Sequence, residues 1–168
     1  MKELRLAGVI RESIVDGPGI RMTIFTQGCP HRCEGCHNPQ THSFDGGYIS
    51  QPENLLKAID ENPLLKGVTF SGGEPFMQAE ALAELAGEIH KRGLDILTYT
   101  GFTFEQLIES SEKYPERKKL LEQTDYLIDG RFELKLRSLD LQYRGSSNQR
   151  IIDVKKSLEE GRVCEISF

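Results

Sequence analysis

Short apolar runs alternate with longer amphipathic stretches along most of the chain. Met22-Thr23-Ile24-Phe25-Thr26 is β-branched and aromatic and ends at Gln27-Gly28, which predicts a short buried strand. Ser50-Gln51-Pro52-Glu53 combines an S-x-x-E capping box with proline in the first turn. It predicts a helix carrying Leu55, Leu56 and Ile59 that stops before Asn62-Pro63. Gly67-Val68-Thr69-Phe70 predicts a second strand. From Met77, Ala81, Leu82, Leu85, Ala86 and Ile89 recur at helical spacing, and Lys91, Arg92 and Gly93 close that helix. Leu94 to Tyr99 predicts a third strand. Thr103-Phe104-Glu105-Gln106 is a second capping box that opens another helix. Asp125 to Ile128 and Arg150 to Val154 predict a fourth and a fifth strand. A short helix over Lys155 to Glu160 and a last strand over Val163 to Ile166 complete the series.

Strands that alternate with helices indicate βαβ units and an α/β fold with mostly parallel strands. A complete eight-fold barrel takes about 250 residues, and this chain has 168. An incomplete (β/α) barrel or an open sheet is therefore expected. No repeat, low-complexity tract or Pro/Gly-rich linker divides the sequence, so residues 1–168 are expected to form a single domain. In such folds chemistry collects at the C-terminal ends of the strands. Gly28-Cys29, Ser71-Gly72-Gly73-Glu74, Thr100-Gly101 and Asp129-Gly130 all fall there.

Composition narrows the function classes. Hydrophobic residues make up 38% of the chain and the formal net charge is −5. An acidic balance argues against non-specific binding to nucleic acid or to an anionic membrane, because both need a cationic surface. No apolar stretch approaches the ~20 residues of a membrane helix. The start of the chain, Met1-Lys2-Glu3-Leu4-Arg5-Leu6, shows no export signal, so the cytoplasm is the expected compartment. In a reducing compartment, clustered cysteines point to a metal or to catalysis rather than to disulfides.

Cys29-Pro30-His31-Arg32-Cys33-Glu34-Gly35-Cys36 places three thiols as C-x3-C-x2-C on one loop. Zinc and iron–sulfur clusters both suit such a set. Zinc would need a fourth ligand, which His31, His37 or His42 could supply. A cubane cluster would keep one iron without a protein ligand, open to substrate. Ser71-Gly72-Gly73-Glu74-Pro75 lies between a strand and a helix. Its glycines allow close backbone approach to a ligand, and Glu74 could accept hydrogen bonds from an ammonium group. The plain alternative is a tight turn with proline in the first helical turn. No Gly-Lys dipeptide occurs, so a phosphate P-loop is absent. Cys164 reads as a small buried hydrophobe, His90 as a helix-terminal residue, and the charged run from Lys113 to Glu122 as an exposed helix face. For Arg144 and Arg150, which flank Ser146-Ser147-Asn148, docking and a structural turn are both open.

The cysteine segment followed by Gly72-Gly73-Glu74-Pro75 resembles the radical S-adenosylmethionine (SAM) superfamily. Val15-Asp16-Gly17-Pro18-Gly19-Ile20-Arg21 and Cys36-His37-Asn38-Pro39 resemble segments of the activases of glycyl-radical enzymes. Tyr99-Thr100-Gly101-Phe102, Leu127-Ile128-Asp129-Gly130-Arg131-Phe132 and Arg144-Gly145-Ser146-Ser147-Asn148-Gln149-Arg150 are similar to the branch that activates the anaerobic ribonucleoside-triphosphate reductase. The resemblance runs from about Ser13 to Val154. It implies a [4Fe-4S] cluster on Cys29, Cys33 and Cys36, with the open iron chelated by SAM. It also implies contacts of Gly72, Gly73 and Glu74 with the methionine amino end, of Gly35, Cys36 and His37 with the adenine side, and of Asp129 near SAM. The implied fold is the incomplete barrel. The implied partners are that reductase, whose glycine would lose a hydrogen atom, and a small electron donor such as flavodoxin. Two features depart from related patterns. Gly35 stands where many superfamily members carry an aromatic residue, and Tyr99-Thr100 stands where pyruvate formate-lyase activases carry an aspartate. An activase of another glycyl-radical enzyme and a structural zinc-binding interaction module are the rival readings.

Overall fold

The computed structural model describes residues 1–168. Seven strands form one mixed sheet: β1 (Leu4–Ser13), β2 (Arg21–Thr26), β3 (Tyr48–Ser50), β4 (Gly67–Gly72), β5 (Asp95–Tyr99), β6 (Tyr126–Asp129) and β7 (Arg150–Asp153). Their spatial order is β3-β1-β2-β4-β5-β6-β7. The strands β2, β4, β5 and β6 run parallel. Both flanks are antiparallel, through β3–β1–β2 on one side and β6–β7 on the other. The helices are α1 (Pro52–Asp60), α2 (Ala79–His90), α3 (Phe104–Ser110), α4 (Pro115–Gln123) and α5 (Val154–Glu160). No helix is long and apolar enough to cross a membrane.

Period-two alternation gives the sheet two different faces. Met22, Ile24, Val68, Phe70, Ile96, Leu127 and Ile152 join the buried apolar faces of α1 and α2 in the main core. The intervening residues point the other way. Leu97, Ile128 and Ile151 pack there with Tyr99 and Tyr143. Arg21, fully buried, donates to Thr69 Oγ1 at 2.8 Å, to the carbonyls of Pro18 and Val68, and to Asp95. Burying a guanidinium is tolerable only because each face of it finds an acceptor. The lack of a side chain at Gly67 gives it room, since a Cβ there would lie 2.6 Å from its Nη2.

The structure departs from the sequence reading at several places. Strand β1, ten residues long, was not among the predicted strands. α1 starts from Gln51 with no side-chain cap, so the Ser50–Glu53 capping box does not form. A 3-10 turn, Pro75–Gln78, precedes α2, which begins at Ala79 rather than Met77. β7 is antiparallel. The segment Val163 to Ile166 makes a single bridge, Ile152 to Glu165, instead of a strand. Cys164 is only half-buried, and its thiol donates to Glu160 at 2.7 Å, so it is not the core hydrophobe expected. Other expectations agree. Thr103 and Gln106 form a full capping box on α3. His90 sits in the last turn of α2 and bridges Gln123 and Asp125.

Candidate active site

Because β2, β4, β5 and β6 are parallel, the loops that leave them all emerge at one end of the sheet. They enclose a cavity of about 550 Å³. Cys29, Cys33 and Cys36 line it from the loop after β2, Ser71, Gly72 and Gly73 from the end of β4, Tyr99, Thr100 and Gly101 from the end of β5, and Gly130 from the end of β6.

The cysteine loop is fixed at its base and wound tightly within. Gly28 N–H donates to Thr41 at 2.7 Å and Cys29 N–H to His42 at 3.1 Å. Inside the loop Cys36 N–H reaches Cys33 at 3.1 Å. Arg32 adopts φ +49°, a left-handed conformation that costs a non-glycine residue of order 1 kcal/mol and persists only where its surroundings impose it. His31, just before it, supplies that restraint. Its Nε2 lies 2.7 Å from Glu74 Oε1, its ring meets Phe102 edge-on at 4.6 Å, and its carbonyl accepts from Arg131 at 2.6 Å. Gly101 has no side chain where His31 lies, since a Cβ there would come within 2.7 Å of Nε2.

All four cysteines are free thiols. Burial pushes the Cys29 thiol up, against the pull of the backbone N–H groups of His31 and Arg32. Three soft donors on one loop, all opening into one cavity, fit a polynuclear cluster. No three His, Cys, Asp or Glu side chains are gathered around a single-ion position. His42 also lines the cavity, and its Nε2 is the one buried side-chain nitrogen or oxygen without a hydrogen-bond partner.

Cys29, Cys33, Cys36, His37, Gly72 and Gly73 thus lie around a common space. Glu74, Gly35 and Asp129 do not line it. Glu74 is fully buried, and its carboxylate is taken up by Thr100 Oγ1, Gly101 N–H, Phe76 N–H and His31. That side chain clasps the cysteine loop to the ends of β4 and β5. Gly35, at φ +72°, lets the chain between β6 and β7 approach, because a Cβ there would meet Leu134 at 2.8 Å and Phe132 at 3.3 Å. Asp129 is buried and paired with Arg150, and it also accepts from Phe104 N–H. Arg150 reaches on to Glu105, whose carboxyl it holds below the usual range.

The cavity's remaining wall is the strap of residues 130–149, within which the sequence singles out only the Arg144–Arg150 block, as docking or a structural turn. Phe132, Leu139, Leu141, Tyr143, Arg144, Gly145 and Gln149 face the cavity from it. Its last turn works as a buckle. Gln149 accepts from Gly145 and Ser146 N–H and donates to Gly130 at 3.0 Å. Asn148 donates to Arg131 at 2.8 Å and accepts from Ser146 Oγ at 2.6 Å. Phe132 packs on His37 with ring centroids 5.0 Å apart, which joins strap and cysteine loop. Only the Arg-Gly-Ser-Ser-Asn-Gln signature hinted at this wall, because an irregular strap has no periodicity to read.

Comparison with known proteins agrees with this geometry. Residues 15–152 match the family described as a 4Fe-4S single cluster domain. The anaerobic ribonucleoside-triphosphate reductase-activating protein of Vibrio cholerae is 34% identical over 146 residues, which cover 82% of this chain and 90% of that one. Its counterpart in Enterobacteria phage T4 is 32% identical, with 82% and 86% covered. The pyruvate formate-lyase-activating enzyme of Clostridium pasteurianum is 35% identical over a shorter match, 64% of this chain and 49% of that one. With its cysteine loop and glycine turn facing one cavity, the chain belongs to the 4Fe-4S single cluster domain family, among the anaerobic ribonucleoside-triphosphate reductase-activating proteins.

Proposed function

We propose that this protein is a radical SAM activase that installs a glycyl radical on the anaerobic ribonucleoside-triphosphate reductase. The observation that carries the reading is that the C-x3-C-x2-C thiols and the Gly72-Gly73 turn open into the same cavity. Cys29, Cys33 and Cys36 would hold a [4Fe-4S] cluster with one iron left for SAM. Bound and reduced, such a cluster would supply the one electron needed for reductive cleavage of SAM, the source of the radical chemistry that removes a hydrogen atom from a glycine of the reductase.

The chain's own residues position and shield. The backbone of Gly72 and Gly73 offers polar groups to the methionine end without a side chain in the way. Cys36 and His37, with Phe132 behind His37, form the wall for the nucleoside. Leu141 and Tyr143 on the strap supply apolar cover, which a reactive radical needs to avoid side reactions. The chain acts as one radical SAM domain over residues 1–168, its sheet an incomplete barrel whose open end admits a loop of the reductase. Work in the cytoplasm, with flavodoxin or a similar small protein as electron donor, completes the reading.

Anaerobic reconstitution with iron and sulfide, followed by electron paramagnetic resonance with and without SAM, tests it. A reduced-cluster signal that changes on SAM addition, and then a glycine-centred radical on the reductase, is the expected result. A tightly held zinc ion and no reducible cluster would replace the activase with a zinc-binding interaction module. A radical formed on pyruvate formate-lyase but not on the reductase would reassign the partner.

The His31–Glu74 clasp makes its own prediction. His31→Phe keeps a ring against Phe102 but removes the bond to Glu74. Partners that orient metal-binding segments typically contribute ten- to hundredfold in metal retention. The variant is expected to lose iron to a chelator about tenfold faster, and the metal-free protein to lose about 1–3 kcal/mol of stability, because the buried Glu74 carboxylate then faces a ring without a nitrogen. Equal iron-loss rates would show that the clasp does not act on the cluster.

A further inference from the structure

Of the four histidines, His42 alone has a buried ring nitrogen with nothing to bond to. His31 Nε2 is taken by Glu74, both ring nitrogens of His90 are engaged, and His37 is exposed. Every other buried side-chain nitrogen or oxygen in the protein has a hydrogen-bond partner. Bulk water does not reach the Nε2 of His42 either. Leaving a buried polar atom unpartnered is destabilising, and a group that binds beside it removes that cost.

The backbone around His42 ties it to both ends of the cysteine loop. Its carbonyl accepts from Cys29 N–H at 3.1 Å, beside the bond from Gly28 N–H to Thr41. Its own N–H donates to Pro39 at 3.2 Å and closes the 3-10 turn Pro39–Thr41. That turn starts directly after Cys36-His37-Asn38, and Asn38 N–H donates to Cys36 Sγ at 3.4 Å. Gln27 Nε2 donates to the carbonyls of Gln40 and Ser43, on either side, at 3.0 and 2.6 Å. The imidazole thus stands on a fixed backbone that runs from Cys36 and is bonded to Cys29. It lines the same cavity as all three thiols.

We propose that His42 donates a hydrogen bond from Nε2 to a sulfur of the cluster held by the three cysteines, and thereby raises its reduction potential. The inference rests on the reading above, which supplies the cluster. Donation needs only the neutral ring with its proton on Nε2. Hydrogen bonds to the sulfurs are one of the levers by which a protein sets such a potential. The reduced cluster carries one more negative charge, so a donor at sulfur favours the reduced form. The backbone bond to Cys29 favours the cluster over SAM as the acceptor.

The test is a redox titration of anaerobically reconstituted wild type, His42→Leu and His42→Gln, without SAM, followed by electron paramagnetic resonance. His42→Leu removes the donor. At a fixed potential its ratio of reduced to oxidised cluster is expected to fall about tenfold, as loss of a hydrogen bond to a charged group does. For one electron that is a midpoint about 59 mV lower. His42→Gln keeps an N–H near the Nε2 position and should recover most of the shift. A second measurement separates a role in the fold. Metal-free His42→Leu should unfold at the same denaturant concentration as wild type or a higher one, because an apolar group replaces an orphaned polar atom. An unchanged midpoint in His42→Leu would overturn the assignment, and weaker SAM binding in the same variant would then move the acceptor to SAM. Equal shifts in both variants, or a metal-free His42→Leu that unfolds earlier, would give His42 a part in holding the loop and overturn it too. If the wild-type protein takes up no reducible cluster, the activase reading itself fails, and this inference with it, before any variant is compared.

Discussion

Replacing Cys33 with alanine is expected to leave a folded protein that holds no reducible cluster and forms no glycyl radical on the reductase. The thiol is half-buried and belongs to neither apolar cluster. The loop is held through other atoms: Gly28 and Cys29 at its base, the Cys33 carbonyl at its turn, and His31 in its middle. Alanine keeps every one of these contacts, so stability should stay within about 0.5 kcal/mol of wild type, as for most surface changes away from special features. What disappears is one of the three protein thiolates that would hold the cluster. Cys164→Ala is the matched control. Its thiol donates to Glu160 at the far end of the chain and does not line the cavity, so cluster content and activity should both survive. Iron and sulfide analysis and the reduced-cluster resonance signal decide the matter. A full cluster in Cys33→Ala, or its loss in Cys164→Ala, would sink the ligand assignment.

The parts of the fold that were legible in sequence are those with local periodicity. Val68 and Phe70 mark β4, and Leu82, Leu85 and Ile89 mark α2, because each buries a regular face. Strand β1 escaped notice for a physical reason. Its alternation holds at Leu4-Arg5-Leu6 but dissolves in Ala7-Gly8-Val9-Ile10, and its pairing with β2 shifts register between Leu6 and Gly8 and again between Ile10 and Ser13. The last strand failed the opposite way: Val163 to Ile166 has strand-like composition but only one bridge to β7.

At the site, the cysteines and glycines were readable because spacing alone puts them on shared turns. The hydrogen-bond partners of two carboxylates were not. Glu74 and Asp129 stand in the right motifs, yet their oxygens are engaged by groups far away in sequence: Thr100, Gly101 and His31 for the first, Arg150 and Phe104 for the second. A motif places a residue at a strand end; it cannot say which lone pairs remain free.

Gly73→Ala should reduce SAM cleavage by about two orders of magnitude without unfolding the protein. A Cβ at Gly73 would press on the carbonyl oxygen of Gly28, lie 2.9 Å from its carbon and 3.0 Å from Thr41 O. All three are backbone atoms, so no flexible side chain can swing aside. The strand end is tied to the same neighbours, with Gly73 N–H on Thr26 at 2.8 Å and Glu74 N–H on Gly28 at 2.8 Å. Relief therefore requires the glycine turn to move away from the base of the cysteine loop, and Cys29 follows Gly28 directly. On the proposed reading that would shift the residues holding the cluster relative to those receiving SAM, and a displacement near 1 Å in a positioned reaction costs about 100-fold. Gly87→Ala provides the internal comparison. It lies within α2, where a Cβ meets nothing within 4 Å, so alanine there should leave cleavage intact and raise stability by about 0.5–1 kcal/mol. Anaerobic assay of 5′-deoxyadenosine release, with circular dichroism on both variants, separates the effects. If Gly73→Ala cleaves SAM at the wild-type rate, the close approach of the glycine turn to the cysteine loop has no part in setting the reacting distance.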